Sequence, residues 1–304
     1  MSLRIERTRA LALLQDDGRF GVRHLGVTQG GALDWVSMRW ANWLLGNALA
    51  APVLEITLGG LALSVETDGV LGLAGADLGA TLDGAPLPPW RAVAVRRGQR
   101  LAFDGPKLGV RAYLAAPGGF EAPALLGSCA TVVREGLGGL EGDGKPVAEG
   151  DVLRWRGPLP EHRRMPATAI PDWSGSATLD VVVGAQIGDF DGQSLFDAFN
   201  TPWQIDTRSD RMGMRLLGPA LRSKTRTMIS EGVPLGAVQV PPDGQPIVLL
   251  NDHQTIGGYP RIGALTPLAI ARLAQCLPGS AVRLRPVVAA QAQQAHRRAL
   301  ASWP

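Results

Sequence analysis

The residues best equipped for chemistry lie between Ser230 and Gly263. An apolar run, Ile247 to Leu250, gives way to Asn251-Asp252-His253-Gln254-Thr255 and then to Gly257-Gly258-Tyr259-Pro260-Arg261. The run reads as a buried strand, so the polar cluster is released at a strand end. The two glycines let the backbone bend sharply and approach a bound group closely. This marks a candidate ligand-facing rim, although a polar turn closing a hairpin has the same pattern. Two further groups stand beside glycine turns. In Ser209–Arg215, Arg211 can grip a carboxylate with both arms of its fork or stand solvated. In Gln29–Asp34, Asp34 follows Gly30 and Gly31 at a helix start, where an anion is favoured and where Asp34 can equally serve as a plain N-cap. Arg134, just ahead of Gly136, Gly138 and Gly139, has the same two readings as Arg211.

Several familiar chemistries are disfavoured. Gly139 to Lys145 fits the first part of a phosphate loop, but Pro146 stands where a magnesium-ligating Ser or Thr belongs, and no helix pattern follows. There is no Gly-x-Ser-x-Gly elbow. The four histidines are isolated and offer no i, i+4 metal pair. Asp189-x-Asp191-Gly192 begins like a calcium loop but lacks the closing glutamate. Met212-Gly213-Met214 has glycine where a biotin carrier has lysine, so no covalent biotin is expected.

These residues must be positioned by a framework rich in turns. Glycine (39) and proline (23) punctuate the chain every few residues, with short apolar or alternating runs between them. That pattern predicts many short strands, hence a sandwich or barrel. A glycine turn followed by an alternating strand recurs at Gly98–Leu101, Gly150–Leu153 and Gly279–Val282. Predicted helices are few: Asp34 to Gly46, with Val36, Trp40, Trp43 and Leu44 as its apolar stripe; a short one at Gln193 to Asn200; and one from Thr266-Pro267 to Pro278-Gly279. The stretch 157–173 is rich in Pro and charge and reads as a linker between halves 1–156 and 174–288; 289–304 reads as a solvated tail with helical propensity.

Bulk properties narrow the partners. With 45% hydrophobic and 19% charged residues the chain is globular. The net charge of +3 is scattered, which argues against a nucleic-acid partner. No apolar window is long enough for a membrane span, and the N-terminus lacks a signal-like apolar segment. Two cysteines far apart argue against a secreted disulfide scaffold, so a cytoplasmic protein is expected.

Several motifs are spread along the chain: Gln15-Asp16-x-Gly18-Arg19, Gly30-Gly31-Ala32-Leu33-Asp34, Arg39-x-Ala41-Asn42, Leu54-Glu55-x-Thr57, Gly109-x-Arg111-x-Tyr113 and Gly127-Ser128 in the first half. In the second half stand Ser209–Gly213, Ser230-Glu231-Gly232, Gln239-Val240-Pro241 and Gln254-Thr255-x-Gly257-Gly258-Tyr259-Pro260-Arg261. Taken together, these motifs resemble the biotin-dependent carboxyltransferase family, whose members include the C subunit of bacterial 5-oxoprolinase, allophanate hydrolase subunit 2 and the carboxyltransferase part of urea carboxylase. The sequence departs from the family pattern at Gln29, Cys129, His253 and Ile256, which bears on substrate more than on fold.

The resemblance implies a mainly β fold of two cyclophilin-like β-barrel halves with a few short helices. It implies work alongside partner 5-oxoprolinase B and A subunits in an ATP-dependent opening of the lactam of 5-oxo-L-proline to L-glutamate, with ATP and Mg held at the level of the complex and little activity alone. Lactam opening needs a held carboxylate and charge stabilised on oxygen. The residues then expected at the site are Arg211, Arg261 and Arg134 for anions, Thr255, Gly258 and Tyr259 lining it, and Asp252, Gln254, Glu231 and Asp34 for catalysis. Two alternatives stay open: carboxyl transfer from carboxybiotin to urea or a related amide, and a regulatory protein that antagonises a kinase inhibitor.

Overall fold

A computed structural model describes residues 1–304 apart from 10, 159–162, 226, 227, 302 and 304. The chain is mainly β and divides into two compact units. The first comprises Met1–Phe20 and Gly30–Ser174, the second Gly21–Gln29 and Gly175–Pro304. The short segment Gly21–Gln29 therefore belongs to the unit built from the far end of the chain.

In the first unit the strands form two antiparallel sheets. One runs in the order Val152–Arg154, Ser2–Thr8, Leu61–Val65, Arg100–Phe103, Ala80–Leu82, Ala85–Pro86. The other runs Ala12–Gln15, Val53–Thr57, Leu108–Ala115, Gly69–Asp77, Arg91–Val95. Alternation sets the inward faces: in Ser2–Thr8, Leu3 and Ile5 are buried while their neighbours are not. Leu3, Ile5, Leu63 and Phe103 from one sheet join Leu14, Ile56, Leu73 and Leu114 from the other in a single apolar core.

The predicted first helix is Trp35–Trp43. The Asp34 carboxylate accepts from the Ser37 N–H at 3.0 Å and from its hydroxyl at 2.5 Å, which satisfies a helix end that has no internal acceptor. The buried face is broader than the expected stripe. It takes in Met38 and Asn42, while Val36 is only half-buried. The helix lies so close to the sheet that a Cβ on Gly72 would sit 2.5 Å from the Ala41 carbonyl oxygen. The Pro-rich stretch follows the first unit: Gly157 donates to Pro117 O at 3.0 Å, Arg163 lies over Trp43, and Trp173 packs on Trp90. Residues 159–162 of that stretch lie outside the described residues.

The second unit is a closed seven-stranded barrel, in the order Ala177–Val183, Arg261–Leu265, Ala237–Gln239, Ile247–Leu249, Gly213–Leu217, Trp203–Ile205, Ala281–Val287. The first and last of these pair in parallel and close it. Closure removes the exposed edges that such short strands would otherwise present. Gly192–Asn200 is a helix capped by Asp191, the residue that resembles part of a calcium loop in sequence. Pro267–Leu273 is capped by Thr266 and stops earlier than expected. Its last turn tightens, with Gln275 N–H bonding Arg272 O and Cys276 N–H bonding Leu273 O. The tail forms the helix Ala289–Leu300, none of whose residues is buried.

Candidate functional site

Ile247–Leu249 ends inside the barrel wall, and the polar cluster leaves it as expected of a strand end. Asn251, Asp252 and His253 are all buried, so the cluster first turns inward. Asp252 meets Arg211 in a bidentate ion pair, with Nε to Oδ2 at 2.9 Å and Nη2 to Oδ1 at 3.0 Å. The backbones of the same two residues are joined by Asp252 N–H to Arg211 O at 3.0 Å. The side chains are 7% and 6% exposed, so each supplies the other's countercharge away from solvent. Arg211 and Asp252 are thus committed to one another, and the arrangement ties two loops of the unit together.

His253 is fully buried. Its Nδ1 lies against Leu250 O, its Nε2 lies 3.1 Å from Nη2 of Arg23, and Val233 O is 3.3 Å away. Burial, and then the neighbouring Arg23 cation, lower its pKa. A neutral ring fits this arrangement, with Nδ1–H donating to the carbonyl and Nε2 accepting from arginine. Arg23 stands on the 3-10 turn Arg23–Leu25, in the short segment that belongs to this unit. Its Nη2 also donates to Val233 O at 2.6 Å.

Beyond His253 the chain surfaces as a two-stranded ribbon, Ile256–Gly257 against Glu231–Gly232. Thr255 O accepts from Val233 N–H at 3.1 Å and holds the ribbon's base. Gly258 O accepts from Met228 N–H, and a Cβ on Gly258 would sit 3.0 Å from Met228 O. The cluster's two glycines are therefore required by close backbone and side-chain approach rather than by a tight turn. Gln254 is half-buried and Tyr259 exposed.

Two clefts open around this ribbon. One, of about 360 Å³, is lined by Val182, Gly184, Gln186, Glu231, Pro234 and Arg261 among others. Here Arg261 ion-pairs with Glu231, whose carboxylate also accepts from Gln186 Nε2 at 2.7 Å, while Gln186 Oε1 accepts from Arg261 N–H at 2.8 Å. The other, of about 640 Å³, is lined by Arg23, His24, Gly232, Val233, Thr255 and Ile256 among others. Thr255, Glu231 and Arg261 thus share one ribbon and its clefts. Asp34 and Arg134 belong to the first unit: Asp34 is 2% exposed and engaged as a cap, and Arg134 is exposed on the turn Val133–Glu135.

The first unit holds polar networks of its own. Asp16 accepts from Ser128 Oγ at 2.6 Å, Cys129 N–H at 2.8 Å and Gly18 N–H at 2.8 Å. Burial and this carboxylate push the Cys129 thiol up, which makes it a poor nucleophile at neutral pH. Tyr113 accepts from Asp34 N–H at 2.8 Å and donates to Glu55 Oε2 at 2.9 Å; burial, then the charge of Glu55, raise the Tyr113 phenol well above its ordinary value. Among the described residues no cluster of three or more His, Cys, Asp or Glu could hold a metal ion.

The model of the carboxyltransferase domain, subdomain A and B, matches residues 25–286. The chain belongs to this family. It is 42% identical over 277 residues to the C subunit of 5-oxoprolinase from Escherichia coli, covering 90% of this chain and 87% of that one. It is 34% identical to the C subunit of 5-oxoprolinase from Haemophilus influenzae, covering 94% and 92%. Among solved structures, the urea carboxylase of Kluyveromyces lactis superposes on 99% of this chain with a TM-score of 0.93 at 27% identity. This chain corresponds to 29% of that much longer one.

In this carboxyltransferase-family chain the motifs quoted above fall on structurally demanding positions. Gln239 is buried under the ribbon, where a Cβ on Gly257 would sit 2.7 Å from its Nε2. Arg19 is fully buried and donates to Leu125 O and Ser128 O. Arg23 and Gln186 are not marked as site residues by the sequence. Neither lies near the 230–263 stretch in sequence, and only barrel closure and the placement of Gly21–Gln29 bring them to the ribbon. Arg23 carried one faint signal, a basic Arg-His pair just ahead of Gly26 in an otherwise apolar stretch.

Proposed function

We propose that this chain is part of an ATP-dependent 5-oxoprolinase that opens the lactam of 5-oxo-L-proline to L-glutamate together with partner A and B subunits. What carries the reading is the near end-to-end match, in both directions, to two proteins named as the C subunit of 5-oxoprolinase. By contrast, the match to the urea amidolyase of Saccharomyces cerevisiae covers 16% of that protein. The reaction breaks the lactam C–N bond. Water supplies an oxygen to the acyl carbon, the nitrogen leaves as the α-amine, and ATP is hydrolysed to ADP and phosphate to drive the step.

The Gly139–Lys145 segment does not form a phosphate loop for that ATP. Lys145 pairs with Asp143, and the chain continues through Pro146 to the strand Val152–Arg154 rather than into a helix. The proposal therefore places ATP, with Mg, on the assembled complex. This chain contributes the ribbon clefts, where a cation can hold the substrate carboxylate and polar donors can meet charge developing on the lactam oxygen.

One observation favours a second reading, carboxyl transfer to an amide: the fold agreement with urea carboxylase over nearly the whole chain. The two are separated by measuring glutamate release from 5-oxoproline with ATP, for the chain alone and then co-purified with the A and B subunits from the same source. The expected result is release only from the complete assembly. A folded, stable assembly that releases no glutamate refutes the oxoprolinase reading, and carboxylation of an amide by that assembly with a carboxybiotin donor establishes the second.

A further inference from the structure

Three arginines approach the ribbon, and their partners differ. Arg211 is held by Asp252 and Arg261 by Glu231. Arg23 touches a backbone carbonyl and a neutral imidazole, and none of the ion pairs among the described residues includes it. Its Nη1 is buried and has no hydrogen-bond partner among the described residues. Burial alone perturbs its pKa, downward, with no carboxylate acting in the opposite sense. A half-buried guanidinium without a countercharge is unusual, because desolvated cations are normally paired. This one stands on the wall of the larger cleft, which Gly26, Gly232 and Thr255 also line.

We infer that the cleft between the Arg23–Leu25 turn and the ribbon binds a small carboxylate, with Arg23 as its anchor. On the reading proposed above, that group is the carboxylate of the five-membered lactam acid. The cleft, at about 640 Å³, is larger than such a ligand needs, which leaves room for a second reactant or a partner's side chain above it. Arg211 and Arg261, the clamps expected from sequence, can take this task only by giving up a carboxylate they already hold. Arg23 has no carboxylate to give up among the described residues. His253 fixes the anchor: with Nδ1 bound to Leu250 O, its Nε2 faces Arg23 and holds the guanidinium plane.

The test is a titration of the full-length chain by calorimetry, and by NMR of its histidine ring signals, with three probes: 5-oxo-L-proline, 2-pyrrolidinone and inorganic phosphate. The expected result is binding of 5-oxo-L-proline, no binding of 2-pyrrolidinone, which lacks the carboxylate, and a shift of the His253 resonance on saturation. Arg23→Gln is expected to weaken binding at least tenfold, Arg23→Lys less, and Arg261→Gln under threefold, each in a chain whose melting temperature is retained. Equal affinity for the acid and for 2-pyrrolidinone, or an Arg23→Gln affinity equal to the parent's, overturns the assignment. So does a chain that binds neither 5-oxo-L-proline nor acetate. Phosphate bound in preference to the acid also overturns it and marks a phosphate site. Acetate, added as a fourth probe, separates the two claims. If acetate binds through Arg23 and 5-oxo-L-proline does not, the carboxylate site stands and the oxoprolinase reading falls. If 5-oxo-L-proline binds independently of Arg23, the reverse holds.

Discussion

Replacing Asp252 with Asn tests whether the Arg211–Asp252 pair is part of the framework. The amide keeps the shape of the carboxylate but removes its charge, leaving Arg211 buried without a countercharge. Both side chains are at least nine-tenths buried and meet through two bonds of 2.9 and 3.0 Å. Breaking a buried pair from one side costs about 3–5 kcal/mol. For a folded unit of this size each kcal/mol is worth roughly 3–4 °C of melting temperature, so a drop on the order of 10–20 °C is expected. The control is Glu66→Gln on the Arg4–Glu66 pair, whose side chains are 48% and 31% exposed. A pair so exposed contributes about 1 kcal/mol at most. The double change Arg211→Met with Asp252→Leu is expected to regain most of the lost stability, because well-packed apolar residues avoid the desolvation penalty. Differential scanning calorimetry of the chain and its variants reads all of this. If Asp252→Asn melts within about 2 °C of the parent, a scale set by the same conversion, the pair is not structural and the sequence expectation of a catalytic Asp252 regains its place.

Three other outcomes follow from the geometry. Tyr113→Phe removes the phenol that accepts from the Asp34 N–H and donates to Glu55 Oε2, an oxygen that keeps its bond from the Leu33 N–H, and is expected to destabilise the first unit by about 1–3 kcal/mol in urea unfolding. An unchanged midpoint would mean that water replaces the phenol. Gly263→Ala places a Cβ 2.2 Å from the Val182 carbonyl oxygen, so the barrel wall at the Arg261 cleft must spread. A loss of about 1–3 kcal/mol is expected by thermal unfolding, and full retention would refute the close packing. His253 titrates below the ordinary value of 6.5 in the fold. The unfolded chain then binds more protons between the two values, so this histidine's contribution is complete above about pH 6.5 and is lost as pH falls through the folded value. His253→Gln is expected to flatten the fall in stability between pH 7 and pH 5, and an unaltered pH profile would count against a buried neutral ring.

Much of the fold was legible because its causes are local. Asp34 and Thr266-Pro267 are helix starts by their chemistry, and both cap helices here. The alternation in Ser2–Thr8 exists because one sheet face is buried and the other is not. The sequence-predicted helix after Thr266 ran too long because nothing in its composition marks the point where the last turn tightens at Gln275 and Cys276. The tail's helix was legible as propensity, and its exposure agrees with the lack of an apolar face.

The candidate site divides along the same line. That a polar, glycine-containing rim follows a buried strand is readable from the residues alone, because strand burial and backbone freedom are properties of short windows. The sequence also carried the family, through motifs spread over most of the chain. Which charges are already paired is settled by the fold. The partner of Arg211 lies forty-one residues away and that of Arg261 thirty, distances at which sequence pattern says nothing about contact. Chain closure also brings Arg23, two hundred and thirty residues from His253, beside it, with no carboxylate paired to it among the described residues. Whether an arginine is a strut or a ligand anchor depends on the countercharge within reach, and that is fixed by chain closure in space.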